Sequence, residues 1–290
     1  MVLELLFNPF SLKKKPWQMF VVGFFNSIIA LILSYVVFRE AAGLLTVFLI
    51  VMSSLPVFYV TIKREEELDL KSDNESKLLK EHGKVLIFFL FLFFGITSAL
   101  VISYVVLPSA MVNTIFELQI AAISNVNTII QSESGSAAAV TGNITSVGLF
   151  LRILTNNFKV LFFCLIFSFL YGAGSIFILT WNASVIASAV GNLIKSEIAK
   201  AASLIGLPTL STYFGVAIFS VFRYMTHGIF EIASYFIAGL AGGIISIAFI
   251  KQNLKEPRIY IDVLDLVLIS IGLLVVAGVV EVYITPILFF

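Results

Sequence analysis

Pro16–Phe38 runs without a charged side chain. A helix needs about 20 apolar residues to cross the hydrocarbon core of a bilayer, and its backbone polar groups must then bond within the helix. The run begins with Pro16 and Trp17, a helix-start proline followed by an interfacial anchor. Ala41–Ile62 follows after only Arg39-Glu40, so the first two spans read as a tight hairpin. Val85–Leu107 is the third span, and Asn157–Leu179, closed by Trp181, the fourth. Leu210–Tyr224 is short, Gly228–Ile250 is full length, and Val263–Val282 is the last. Composition agrees: charged residues are 12% of the chain against about 25% in soluble domains. The expected fold is an all-α polytopic bundle with six spans plus a short or re-entrant helix. A net charge of +1 gives no basis for nucleic acid binding. The sole cysteine, Cys164, lies in an apolar run, so neither a disulfide framework nor a CxxC metal site exists.

Lysine and arginine set the expected orientation. With the N-terminus inside, the cytoplasmic face receives Lys13–Lys15, six residues of the 63–84 loop, Lys195, Lys200, Lys251, Lys255 and Arg258. That is fourteen of the eighteen, leaving Arg39, Arg152, Lys159 and Arg223 outside. This predicts a plasma-membrane protein with a cytoplasmic N-terminus and an extracytoplasmic C-terminus. It also demands an even number of crossings between Lys200 and Lys251, so Leu210–Tyr224 must cross or re-enter.

Three regions follow: an N-terminal three-helix membrane region (1–107) with a cytosolic loop at 63–84, an extracytoplasmic segment (108–155), and a C-terminal membrane region (156–290). The 63–84 loop is dense in charge and reads as a solvated linker or a docking surface. Leu68, Leu70, Leu78 and Leu79 can rest on the membrane. Glu65, Glu66, Asp69 and His82 are potential cation ligands, but their spacing matches no metal motif, and no metal is expected. Phe116–Ile130 carries apolar residues at helical spacing and predicts a helix on the outer interface. Ser132–Ala139 reads as a loop tip, Asn143-Ile144-Thr145 as a glycosylation sequon, and Met1–Phe10 as an amphipathic stub on the inner interface. Thr180–Pro208 reads as an inner re-entrant or interfacial helix. Ala183, Ala187 and Gly191 are spaced by four, as are Gly239 and Gly243, the pattern that lets helix backbones approach closely.

The sharpest polar signal is His227-Gly228-Ile229-Phe230-Glu231, inside the weakly charged tract Ala201–Ile250. Intramembrane ionisable groups cost several kcal/mol, roughly 3 to above 10, and usually have partners. On a helix, Arg223, His227 and Glu231 share one stripe. Three readings of this stripe stand side by side. His227 and Glu231 form a hydrogen-bonded pair that locks a helix break at Gly228 or clamps two helices, they relay protons or ions, or they gate a partner. Glu281, Asp262 and Asp265 read as interfacial charges near the ends of the last span. An intramembrane metalloprotease needs paired ligands as in H-E-x-x-H, and the two histidines, His82 and His227, fall on opposite sides of the membrane. Serine–histidine pairing stays open on counts alone, but there is no G-x-S-x-G elbow.

The residues Asn156-Asn157, the turn Tyr171-Gly172-Ala173-Gly174, Trp181-Asn182, His227-Gly228-Ile229-Phe230-Glu231 and Ala238-Gly239-Leu240-Ala241-Gly242 resemble the stage II sporulation protein M family over about 150–290. Asn8-Pro9-Phe10 and the loop residues Glu65-Glu66-Glu67 and Leu78-Leu79-Lys80-Glu81-His82 are similar to uncharacterised prokaryotic members, archaea included. The resemblance implies a multi-pass membrane protein with no established enzymatic activity and no cofactor. The family's namesake anchors a cell-wall-hydrolase complex during engulfment. That particular role is not carried over, because the N-terminal half differs. Family-motif positions are Asn156, Asn157, Gly172, Gly174 and Asn182. The expected function is a non-enzymatic scaffold or anchor for membrane complexes or membrane remodelling, with a lipid bilayer and a protein partner or second copy as its company. The alternatives are a small-solute or ion transporter using Arg223, His227 and Glu231 and, last, an intramembrane hydrolase.

Overall fold

A computed structural model describes residues 15–71, 75–124, 146–171, 174–205, 209–252 and 256–289. The expected amphipathic stub, loop tip, sequon and Gly172 lie outside them. The helices are α1 (Trp17–Val37), α2 (Ala42–Lys71), α3 (Glu75–Val106), α4 (Ser109–Ile115), α5 (Ser146–Tyr171), α6 (Ser175–Ile205), α7 (Leu210–Ile250), α8 (Pro257–Val279) and the terminal turn α9 (Thr285–Phe289). A short 3-10 turn, Arg39–Ala41, joins α1 to α2, and a π-helical turn, Val280–Ile284, joins α8 to α9. Seven helices among the described residues are long and apolar enough to span a bilayer. The chain is an all-α polytopic membrane bundle.

Two of the seven differ from the sequence expectation. Ser175–Ser203 is itself long and apolar enough to span, rather than an interfacial helix, and it forms a hairpin with α5, which ends at Tyr171. The expected fourth span, Asn157–Leu179, straddles that hairpin turn. In turn, Leu210–Ile250 is one unbroken helix, not a short helix and a full one. Gly228 sits in its interior, where an added Cβ would meet only Met225 at 3.9 Å, so no break is needed there. At 1.5 Å per residue α7 is about 61 Å long, roughly twice the hydrocarbon thickness.

This reassignment moves two lysines. Lys195 donates to the carbonyl of Leu107 at 3.4 Å, just past the end of α3 that lies farthest from His82. Lys195 and Lys200 therefore stand at the end of the bundle opposite to Lys251. The charge split becomes twelve against six.

Helix α7 is the axis. Of its most apolar window 89% is buried, against 28% for α1 and 22% for α5. Residues Ile232 to Ala248 pack on α2, α3, α5, α6 and α8. Phe58 of α2, Phe89 of α3 and Phe236 of α7 stack at 4.1 and 5.7 Å between ring centres, joining the N-terminal hairpin to the axis. Helix α1 instead crosses α3 directly. A Cβ on Gly95 would collide with the carbonyl of Phe20, and one on Gly23 would lie 2.5 Å from the carbonyl of Leu92. Two small residues facing each other bring the backbones into contact, as membrane helices favour. The Ser34 and Thr46 hydroxyls, 2.5 Å apart, tie α1 to α2.

The expected outer interfacial helix is only partly that. Residues 117–124 are helical, but Val112, Ile115, Phe116 and Gln119 are buried, and Gln119 donates to the Ser184 hydroxyl at 3.1 Å. This segment plugs the end of the bundle.

Candidate functional site

The unbroken α7 puts Arg223, His227 and Glu231 on one stripe, which continues through Tyr235, Gly239 and Gly243. Its small residues face the α5–α6 hairpin. A Cβ on Gly239 would lie 2.5 Å from the Ser175 hydroxyl, and one on Gly242 would strike the carbonyl of Leu165. Gly243 is buried beside them. Asn157 of α5 donates its side-chain amide to a carboxylate oxygen of Glu231. Asn156 is its neighbour, with its own amide nitrogen 3.5 Å from the Asn157 oxygen. His227 is bonded elsewhere: its Nδ1 lies 3.4 Å from the hydroxyl of Thr285. The expected direct pair of His227 and Glu231 does not form. Each binds a different neighbouring helix, so the stripe ties α5 and the start of α9 to α7.

The end of α8 is shaped for this contact. Pro286 has no N–H for the carbonyl of Val282, and its ring would press on that carbonyl in a regular helix. The turn widens to π geometry over Val280–Ile284, and Thr285 donates its hydroxyl to the Val280 carbonyl at 3.1 Å. π turns inside helices often mark functional positions. This one carries Glu281, half-buried and near enough to Glu231 for their carboxyl groups to interact electrostatically. Glu281 is therefore not a simple interfacial charge. Arg223 is half-buried further along the stripe.

The remaining expected positions are structural in their surroundings. Ala183 and Ala187 are fully buried, and a Cβ on Gly191 would run into the Tyr104 ring. A Cβ on Gly174 would collide with the carbonyl of Phe167, so the backbone before α6 lies hard against the end of α5. Asn182 is half-buried on α6.

A second polar cluster, at the Lys251 end, corrects the reading of the 63–84 segment as a solvated linker. Helices α2 and α3 extend through most of it, and Glu65 and Glu66 are fully buried. His82 is 4% exposed, with Nδ1 3.1 Å from Glu65 and Nε2 3.1 and 3.2 Å from the two oxygens of Asp262. Both nitrogens can donate only if both carry protons, so the geometry suits an imidazolium between two carboxylates. Lys251, at the end of α7, pairs with Glu66 at 2.7 Å and Glu67 at 3.3 Å. Burial lowers the Lys251 pKa, but hydrogen bonds and charge from Glu66 and then Glu67 outweigh it and leave the pKa raised. Four helices, α2, α3, α7 and α8, thus meet through ion pairs.

The two edges of the His82 ring point at different carboxylates, so Glu65, His82 and Asp262 do not converge on one point. Among the described residues, no group of three or more His, Cys, Asp or Glu side chains is arranged to hold a metal ion. Leu78 is buried in the core rather than lying on the membrane, and Leu79 is exposed. Asp262, the partner of His82, stands 180 residues away and no spacing pattern links the two.

The model of the stage II sporulation protein M family matches residues 84–286, from the first third of α3 to the start of α9. It begins well before the expected 150. An uncharacterized protein of Methanocaldococcus jannaschii is 32% identical over 144 residues, which cover 47% of this chain and 71% of that protein. No solved structure matches. The match takes in the stripe with its partners, and of the second cluster Lys251 and Asp262 but not His82 or the glutamates of α2. The chain belongs to the stage II sporulation protein M family.

Proposed function

We propose that the chain is a non-enzymatic membrane scaffold, an anchor that holds a partner protein or a second copy in the bilayer. The observation that supports it best is where the stripe's polar groups go. Glu231 is held by Asn157 and His227 by Thr285, so their hydrogen bonds join helices to one another. Buried polar pairs of this kind specify packing. The ion pairs of His82 and Lys251 fit the same role at the other end. The family match supports a membrane setting. In this reading the Lys251 end, with twelve of eighteen cationic residues, is cytoplasmic together with the N-terminus, and seven crossings put the C-terminus outside in the plasma membrane. Crosslinking in native membranes followed by affinity purification should recover a stoichiometric partner or a homo-oligomer. A clean monomer overturns the scaffold.

One observation favours a second reading, ion or small-solute transport. Glu231 of α7 and Glu281 of the π turn are two half-buried carboxyl groups near enough to interact electrostatically. Vesicles reconstituted with the protein should then show a flux that Glu231→Gln changes. Broad ion and solute screens without any flux remove this alternative.

A further inference from the structure

Away from both polar clusters, a cavity of about 440 Å³ opens between the second half of α3, α6 and the first half of α7. Val101 and Val106 of α3, Val190 and Ile194 of α6, and Phe214 and Ala217 of α7 line it. The hydroxyl of Thr97, one of its few polar groups, is already donated to the Phe93 carbonyl at 2.9 Å. Water needs two to four polar partners to settle in a cavity, and this lining offers few. All three wall helices belong to the apolar spans, and Val106 and Phe214 at the border are exposed, so the space adjoins lipid.

A cation neighbours its α3–α6 wall without forming part of the lining. Lys195 follows Ile194 in sequence, and its amino group reaches the carbonyl of Leu107, the residue after Val106, at 3.4 Å. It also lies 5.3 Å from the centre of the Tyr104 ring. Among the described residues those are its partners, and one long hydrogen bond leaves two of the three ammonium donors available. An apolar slot beside a half-buried ammonium matches the two halves of an anionic lipid, a hydrocarbon chain and a phosphate. A lysine near the membrane surface attracts anionic headgroups.

We propose that this cavity takes one hydrocarbon chain of an anionic membrane lipid and that Lys195 holds the headgroup phosphate. The site is independent of the scaffold reading, since it uses neither polar cluster. The test is native mass spectrometry of the full chain, released from micelles containing phosphatidylglycerol and phosphatidylcholine. One phosphatidylglycerol should remain per chain, preferred by about fivefold, the scale of one lysine–phosphate contact. Lys195→Gln should erase the preference while leaving chain binding, and Ala217→Trp should empty the cavity of either lipid. Inorganic phosphate alone should not compete, because the hydrocarbon chain supplies the fit. A phosphatidylglycerol with a photoreactive acyl chain should label the wild-type peptides that carry Val101 and Val190, a readout that does not depend on a variant folding. An unchanged preference in Lys195→Gln, undiminished occupancy in a folded Ala217→Trp, labelling confined to other peptides, or a lipid-free dimer with the second copy in the cavity overturns the proposal.

Discussion

Replacing His82 by alanine probes the ion cluster at the Lys251 end most directly. In the native structure the imidazole separates Glu65, fully buried, from Asp262, 6% exposed, with contacts of 3.1 to 3.2 Å. Without it, two carboxylates are left in a site closed to water, and Glu65 and Asp262 lose their shared cation. Breaking a buried ion pair by removing one partner costs about 3–5 kcal/mol. Glu65 has further interactions, which places the expected loss near the lower bound, about 3 kcal/mol or roughly a hundredfold in the folded-to-unfolded ratio. The assay is equilibrium unfolding in mixed micelles of increasing denaturing-detergent fraction, followed by circular dichroism. His82→Ala combined with Asp262→Ala removes one stranded carboxylate, so the pair should fall short of additivity by about 1–3 kcal/mol. Lys84→Ala serves as the control. It breaks the solvent-facing Lys84–Glu81 pair, and its effect should stay within about 0.5 kcal/mol. A His82→Ala loss no larger than that control, or strict additivity with Asp262→Ala, would show that these carboxylates are hydrated and refute the reasoning.

Glycine substitutions should divide by their surroundings. Gly95→Ala drives a methyl into the Phe20 backbone and should separate α1 from α3, at a cost of about 1–3 kcal/mol by the same unfolding assay. Gly228→Ala makes only an ordinary contact with Met225 inside a helix and should be neutral or stabilising by up to about 1 kcal/mol, despite its place in the family motif. A stable Gly95→Ala or a badly destabilised Gly228→Ala contradicts the packing described. Asn157→Ala leaves Glu231 without its amide donor and should cost about 1–3 kcal/mol, whereas Asn157→Gln can recover part of the loss. Equal losses in the two variants would deny that bond. Lys251 has a folded pKa raised above its usual 10.5, so its pairing stabilises the fold fully below that value and fades as pH rises through the folded pKa. The stability gap between wild type and Lys251→Met should therefore be flat from about pH 6 to 9 and close only in stronger alkali. A gap that closes near neutrality would mean the lysine is not held by Glu66 and Glu67.

Much of the fold was legible because lipid imposes a simple rule: long uncharged runs become helices. Pro16–Phe38 and Val85–Leu107 were read to within a few residues of α1 and the apolar part of α3. Helix α6 is hard to read because Asn182, Ser184, Ser188 and Asn192 hold even its most apolar stretch to the lowest mean hydropathy of the seven, 1.5, and Lys195, Glu197 and Lys200 follow directly. Lys195 reaches past the end of α3, and Lys200 pairs with Glu197 one turn away. The break expected at His227-Gly228 came from a local propensity that tertiary packing overrides: Gly228 is enclosed by helix on both sides. The stripe of Arg223, His227 and Glu231 was legible from spacing alone. Its partners were not, because Asn157 and Thr285 arrive from 74 and 58 residues away. The same holds for His82 and Asp262, 180 residues apart in the chain, each unremarkable in its own segment.

The length of α7 has a mechanical consequence. Its C-terminal half is gripped on all sides from Ile232 to Ala248, while its first turns, with Leu210, Phe214 and Phe222, stand largely exposed. A stiff rod clamped over one half acts as a lever. From Tyr235 to Leu210 the arm is about 38 Å, so a tilt of about 10° at the clamp carries the tip through roughly 7 Å. Whatever pulls on Lys251 at one face of the bilayer is thereby geared up, through a single continuous backbone, at the other.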